Sequence, residues 1–158
     1  MTQENNPQQE NLFDDYTQYK TAASGQRFVN WLVDNLLMRF GLSYVTGTFV
    51  GMMIGRFFPD YAERIVDTQN TWDLLLLAYA IGFFNYLLYY TICEKAFRGY
   101  TLGKLISGTR AIREDGKELT FKDAFLRSLS RLVPFEVLSG FGKPWHDSWT
   151  NTTVIQVR

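Results

Sequence analysis

The sequence predicts a mainly α-helical membrane protein with two transmembrane helices, a small cytoplasmic β-hairpin and an amphipathic or re-entrant helix. The chief observation is the stretch Leu74–Cys93, which carries no formal charge. A helix rises about 1.5 Å per residue, so such a stretch matches the hydrocarbon thickness of a bilayer, about 30 Å. A second apolar stretch, 28–58, precedes it, which argues against a lone buried helix of a soluble protein.

The first predicted span, 28–58, is longer and less uniform than the second, 73–93. Asp34 and Arg39 come just before the uncharged residues 40–55. As one straight helix, 28–58 would measure about 46 Å, which is too long for an untilted span. We therefore expect either a strong tilt or first turns that lie in the membrane interface.

The placement of charges predicts the orientation. The connector 59–73 contains a single cation, Arg64, among four acidic residues. A cluster of cations follows the second span: Lys95, Arg98, Lys104, Arg110 and Arg113. The positive-inside rule then predicts a multi-pass protein of the cell's inner (cytoplasmic) membrane, with both termini cytoplasmic and the lipid bilayer as its first partner.

Composition narrows the function classes. The chain has 16 basic and 16 acidic residues, and this balance disfavours a nucleic-acid partner. One cysteine and one histidine allow neither an internal disulfide nor a His/Cys metal cluster, so we predict no metal and no cofactor. No phosphate-binding glycine loop or nucleophile elbow is present, which favours a non-enzymatic protein.

The chain divides into two predicted regions. Residues 1–26 are polar and lack the apolar core of a signal peptide, so they predict a disordered cytoplasmic tail. Residues 27–158 form the predicted membrane domain.

Three glycines in the first span predict a helix-packing surface. Gly47, Gly51 and Gly55 recur at a spacing of four, so they share one helix face that another helix can approach closely. The partner helix is either the second span, at Ala78 and Gly82, or the same helix of another copy.

The start of the first helix carries a polar stripe. Arg27, Asn30 and Asp34 are spaced by three and four residues and share one face, whereas Arg39 points elsewhere. Ionisable residues at membrane depth suggest function by default. A structural clamp at the interface would use the same residues, and both interpretations remain open from the sequence.

The region after the second span has the pattern of a soluble protein. An Asp-Gly pair at 115–116 between short alternating runs predicts a hairpin over 108–121. Thr120, with Asp123 three residues later, predicts the start of an amphipathic helix over 121–133. Its cations favour a position along the cytoplasmic membrane face, and packing on the hairpin is the alternative. A C-terminal His-Asp segment, 144–157, follows.

Several short motifs follow one another in a characteristic order. They are an arginine that opens the first apolar helix, an aspartate seven residues later, TLGK at 101–104, GTRAI at 108–112, the Asp-Gly turn, AFLR at 124–127 and a final His-Asp pair. Together they resemble the RDD family, small membrane proteins named for one arginine and two aspartates, over residues 27–157. The resemblance implies that Arg27 is the signature arginine and that Asp34 and Asp147 are the two aspartates.

The resemblance also bears on the segment before the final His-Asp pair. Many relatives have a further hydrophobic stretch before the His-Asp pair, but 131–143 contains Glu136 and is too short to cross, so we expect it to re-enter the membrane or lie flat. With both ends cytoplasmic, we expect Asp147 to approach Arg27 and close a clamp. The supporting site residues are Asn30, Arg39, Lys104, His146 and Thr152.

Two functions remain open, of which the resemblance implies the first, and the small size, polar tail and lack of an evident pore favour the second. In the first, the protein transports a small ion or ligand, with Asp34 exchanging a proton for a cation, Arg27 favouring its charged form and Asp147 competing for the arginine. Two spans cannot enclose a polar path, so transport requires a homo-oligomer. In the second, the protein is a non-enzymatic scaffold or assembly factor within a larger membrane complex.

Overall fold

The computed structural model describes residues 19–67, 71–133 and 144–157, and most of the predicted tail and of the segment 131–143 lies outside these ranges. The described residues are mostly helical. Helices α1 (Ser24–Leu36) and α2 (Ser43–Phe57) are joined by a π-helical turn, Leu37–Leu42. The remaining elements, in chain order, are α3 (Pro59–Val66), α4 (Thr71–Ala96), α5 (Leu102–Ser107), β1 (Thr109–Arg113), α6 (Phe121–Ser130), α7 (Trp145–Trp149) and β2 (Thr152–Gln156).

Two helices are long and apolar enough to cross a membrane. One is the continuous helix Ser24–Phe57, 34 residues long, and the other is α4, with 26 residues. The first helix begins four residues before the predicted span 28–58 and ends one residue short of it, while α4 extends past both ends of the predicted span 73–93. The longer helix would span about 51 Å if straight, so its N-terminal turns extend past a 30 Å hydrocarbon core unless the helix is tilted.

The predicted hairpin over 108–121 is wrong. The turn at 114–116 does form, since Gly116 has a φ of 76° and its N–H donates to the carbonyl of Arg113. After Lys117, however, the chain leaves the ladder to reach the cap of α6. β1 instead pairs in antiparallel register with β2, from Thr109 opposite Gln156 to Arg113 opposite Thr152.

The residues just before α1 extend this sheet. The N–H of Ala22 donates to the carbonyl of Val154, and the N–H of Gln156 donates to the carbonyl of Lys20. Residues 20–26, assigned by the sequence to a disordered tail, are therefore held by β2 and by the first turn of α1. The partner strand lies about 130 residues away in the sequence, so no local pattern reveals this pairing. A small apolar core forms here from Ala22, Ala111, Leu119 and Val154.

The predicted start of α6 is confirmed. Thr120 accepts the N–H of Asp123, and the Asp123 carboxylate accepts the N–H of Thr120, which forms a reciprocal capping box. α6 ends at Ser130, and it packs against α4 and α7 rather than on a hairpin. Its position places Arg127 between the second span and the C-terminal segment.

Candidate buried polar site

Asp34 lies in a pocket of neutral hydrogen-bond donors. Its carboxylate accepts the hydroxyls of Tyr89 and Thr101, each at 2.7 Å, and the N–H of Gly103 at 2.8 Å. The residue is only 1% exposed. Three donors from α4, the cap of α5 and the first turn of α5 therefore converge on one carboxylate of α1.

The close approach of α5 to α1 requires glycine at position 103. A Cβ at that position would lie 2.3 Å from the carbonyl oxygen of Asn30 and 2.8 Å from its Cα. These atoms are backbone and cannot turn aside. The glycine of the TLGK motif thus brings its own N–H within reach of Asp34.

Arg27 is not the partner of Asp34. Its Nη1 donates to Oδ2 of Asp147 at 2.6 Å, and its Nε donates to the carbonyl of Ala22. Arg27 and Asp34 are seven residues apart, about 10 Å along the helix axis, so the arginine reaches the C-terminal segment instead. Within the part of the chain that the structure describes, no cation forms an ion pair with Asp34.

The predicted contact between Asp147 and Arg27 is confirmed, and a second arginine joins it. Oδ1 of Asp147 accepts Nη1 of Arg127 at 2.6 Å and lies 3.4 Å from Nε2 of His146. Burial alone would raise the pKa of Asp147, but the attraction of Arg127, His146 and Arg27 outweighs it and holds the pKa well below its usual range. Arg127 also donates to Thr152, so β2 closes the site.

Sequence reasoning missed Glu94, the centre of the second half of the site. This fully buried carboxylate accepts Lys104 Nζ at 2.6 Å, Arg127 Nε at 3.0 Å and Arg131 Nη2 at 2.7 Å. Arg131 also lies over the ring of Tyr90, 4.4 Å from its centroid. Arg127 therefore bridges the two carboxylates, and one continuous network runs from Arg27 to Lys104.

A signal for this network was present in the sequence. Glu94 directly follows the uncharged run, and Arg127 on α6 and Arg131 just after its last residue are spaced by four, so they share a face. The sequence alone favours lipid head groups for the cations of this helix, with packing on the hairpin as the alternative. That these arginines instead face Glu94 inside the protein follows only from the packing of α6 on α4.

Lys104 is predicted as a supporting residue and lies at the other end of the network. Burial is the main effect on its ammonium group and lowers its pKa to about 8, although the neighbouring Glu94 opposes this shift. Its helix, α5, is capped by Thr101, whose hydroxyl also donates to Asp34. The TLGK motif thus serves both carboxylate sites.

The other predicted residues divide into those at the site and those outside it. The side chain of Asn30 contacts the hydroxyls of Ser107 and Thr109, which fixes α1 against α5 and β1. Arg39 is exposed and lies away from the network. Among described residues, no group of three or more His, Cys, Asp or Glu side chains is placed to hold a metal ion.

The predicted helix-packing surface, the strip of Gly47, Gly51 and Gly55, is not covered by another helix of this chain among the described residues. A Cβ added at Gly47, Gly51 or Gly55 would meet nothing within 4 Å, and the same is true at Gly82. The second span therefore does not pack on the strip, and that alternative is wrong. The two spans instead contact each other through Asn85, which donates to the hydroxyl of Thr46 at 2.7 Å.

Two long apolar helices that meet around buried ionisable side chains define a helical protein with two candidate membrane spans. The model of the RDD family matches residues 21–153, and the chain belongs to the RDD family. Searches of curated proteins and of solved structures gave no match. Family membership and the two apolar helices together support a membrane protein.

Proposed function

We propose that this chain is an integral, multi-pass protein of the cytoplasmic membrane that transports a small ion or ligand as an oligomer, most simply by exchanging a cation for a proton at Asp34. The observation that supports this proposal most directly is that Asp34 is buried and accepts hydrogen bonds from three neutral donors. The proposal is non-enzymatic, and it places residues 19–23 and 144–157 on the cytoplasmic side.

The three buried carboxylates differ in what they can still bind. Asp147 and Glu94 are each paired with at least two cations, so their charge is already compensated. Asp34 has no such compensation among the described residues. A carboxylate in this position can take up a proton or a cation, and the hydroxyl oxygens of Tyr89 and Thr101 are of the kind that hard cations accept as ligands.

A line of polar groups leads from the middle of the spans toward Asp34. Asn85 and Tyr89 are one helical turn apart on α4 and face the first helix, where they bond Thr46 and Asp34 respectively. Two spans cannot surround such a line alone. The open strip at Gly47, Gly51 and Gly55 offers a seam for a second copy.

The test is cation-dependent proton flux in proteoliposomes. We expect wild-type protein to carry flux with Na⁺ or K⁺, and Asp34→Asn to abolish it because the amide cannot exchange a proton. Asp60→Asn is the matched control, since it removes the same charge from the exposed helix α3. Flux retained by Asp34→Asn, or lost equally in Asp60→Asn, would contradict the proposal.

A scaffold or assembly factor for a larger membrane complex is the second candidate. The observation that favours it is the network from Arg27 to Lys104, whose ion pairs join the spans, α6 and the C-terminal segment. Such a network stabilises one arrangement. No flux from folded wild-type protein over several cations and pH values, together with a monomeric mass in detergent, would favour the scaffold.

A further inference from the structure

Helix α6 is amphipathic, but it buries its polar face and exposes its apolar face, the opposite of a helix in a soluble domain. The face that it buries carries Arg127, Ser128 and Ser130, besides the small Ala124. Its outward face carries Phe121, which is 61% exposed, and Phe125 and Leu126, each exposed by more than a third. In water the apolar stripe of such a helix would face the core.

Helix α5 has the same reversed polarity. It buries Gly103 and Lys104, and it exposes Leu102, Leu105 and Ile106, the last by 69%. Both helices thus turn a charge inward and large aliphatic or aromatic groups outward. An exposed apolar patch of this kind marks contact with a membrane or a partner.

The second span, on which α6 packs, also exposes large apolar side chains. Leu88 and Ile92 on α4 are exposed by about half, and Phe97 at the following turn by 61%. Exposed charged residues lie at and just after the end of α4 (Lys95 and Arg98), in the turn before α6 (Lys117 and Glu118) and on the first turn of α6 (Lys122). The exposed charges therefore lie at the ends of these elements.

We propose that the outer faces of α5 and α6 are immersed in lipid acyl chains, so that Glu94 and Arg127 lie at the depth of the cytoplasmic leaflet and Asp147 joins them from the cytoplasmic side. This inference takes the membrane setting from the proposed function but not the transport step. α6 has ten residues and measures about 15 Å, half of a 30 Å hydrocarbon core, so it can enter one leaflet only.

The chemistry of the two faces supports acyl chains as the occupant. Lipid acyl chains solvate phenylalanine, leucine and isoleucine without cost, while Arg127 and the two serines of α6 form hydrogen bonds to groups inside the protein. The exposed Lys122 can extend its ammonium group toward lipid phosphates. Exposed tryptophan at Trp149, stacked on Trp145, suits the membrane interface.

The test uses single cysteines, because the chain contains only Cys93. In a Cys93→Ser background, Phe125→Cys and Ile106→Cys carry a fluorophore in proteoliposomes. Phe49→Cys, on the exposed face of the first span, is the lipid control, and Glu118→Cys is the water control. Lipids with a spin label in the acyl chain and aqueous iodide are the two quenchers. If either Phe125→Cys or Ile106→Cys does not fold, Leu105→Cys is labelled in its place.

We expect the labels at 125 and 106 to be quenched by the acyl-chain probe to within about twofold of the label at 49, and to resist iodide. Quenching by iodide, as at 118, would overturn the inference. Protection from both quenchers would also overturn it, because a protein partner or a second copy would then cover the face. If the label at 49 also escapes the acyl-chain probe, the membrane setting of the proposed function fails instead.

Discussion

At the scale of single residues, the site separates one uncompensated carboxylate from two compensated ones. Asp34 accepts only neutral donors, whereas Asp147 accepts two arginines. Removing one partner of a buried ion pair leaves the other charge uncompensated in a poor solvent, which is far more costly than losing a surface pair. Asp147 and Arg27 should therefore matter for folding, and Asp34 for exchange.

Replacing Asp147 by asparagine should strongly destabilise the fold. The amide cannot neutralise Arg27 and Arg127, so we expect a loss of about 3–5 kcal/mol in the free energy of unfolding. Thermal unfolding in detergent measures it, with Arg27→Gln as a second variant. Glu118→Gln is the control, since this exposed pair with Arg110 should contribute at most about 1 kcal/mol. The clamp is excluded if Asp147→Asn and Arg27→Gln both keep wild-type stability and membrane abundance.

Residue identities in the site were only partly predictable from the sequence. Arg27, Asp34 and Asp147 follow from the resemblance, and the contact between Arg27 and Asp147 follows from placing both ends on one side of the membrane. Glu94 and Arg127 were missed because charged residues beside a span and on an amphipathic helix ordinarily face water or head groups. Only the packing of α6 on α4 reveals that they face each other.

At the scale of elements, the helices were predictable and the strand pairing was not. An uncharged run of twenty residues and the cap at Thr120 are local signals, and both produced the expected elements. The partner of β1 is β2, at the far end of the chain, and nothing near β1 encodes that choice. The nearby alternating run at 117–121 therefore led to the incorrect prediction of a hairpin.

The packing of α5 on α1 provides a test at this scale. Gly103→Ala places a methyl group against the backbone of Asn30, so α5 must move away and its N–H must leave Asp34. We expect a loss of about 1–3 kcal/mol in unfolding free energy, the usual cost of overpacking, and loss of any flux that depends on Asp34. Gly47→Ala is the matched control and should be neutral in the monomer, because its Cβ meets no atom within 4 Å. Equal melting temperatures for the two variants would contradict this account.

At the scale of the whole molecule, one charged network connects the spans, α6 and the two ends of the described chain. Because the sheet joins residues 20–22 to β2 and Arg127 joins β2 to the spans, the C-terminal segment is part of the folded unit. Because Asp147 links this segment to Arg27 and Arg127, the stability of the whole fold should fall when the pH is lowered.

Acid should unfold the wild-type protein through Asp147. Its pKa is lower in the folded state than its ordinary value of 3.8, so the stabilisation is complete well above 3.8 and is lost as the pH falls through the folded value. Unfolding in detergent from pH 7 to pH 2 measures this. We expect Asp147→Asn to begin less stable and to decline less steeply below about pH 4. Asp123, whose pKa is also lowered, titrates in both proteins and cancels from the comparison. Parallel curves would contradict the role of Asp147.

The most direct test of the central claim is infrared difference spectroscopy of the reconstituted protein before and after a cation is added. If Asp34 exchanges a proton for a cation, the band of a protonated carboxyl group should disappear on addition of Na⁺ or K⁺ at one or more values in a pH series. The change should be absent in Asp34→Asn and present in Asp60→Asn. No change in the wild-type protein at any pH, or the same change in Asp34→Asn, would contradict the claim.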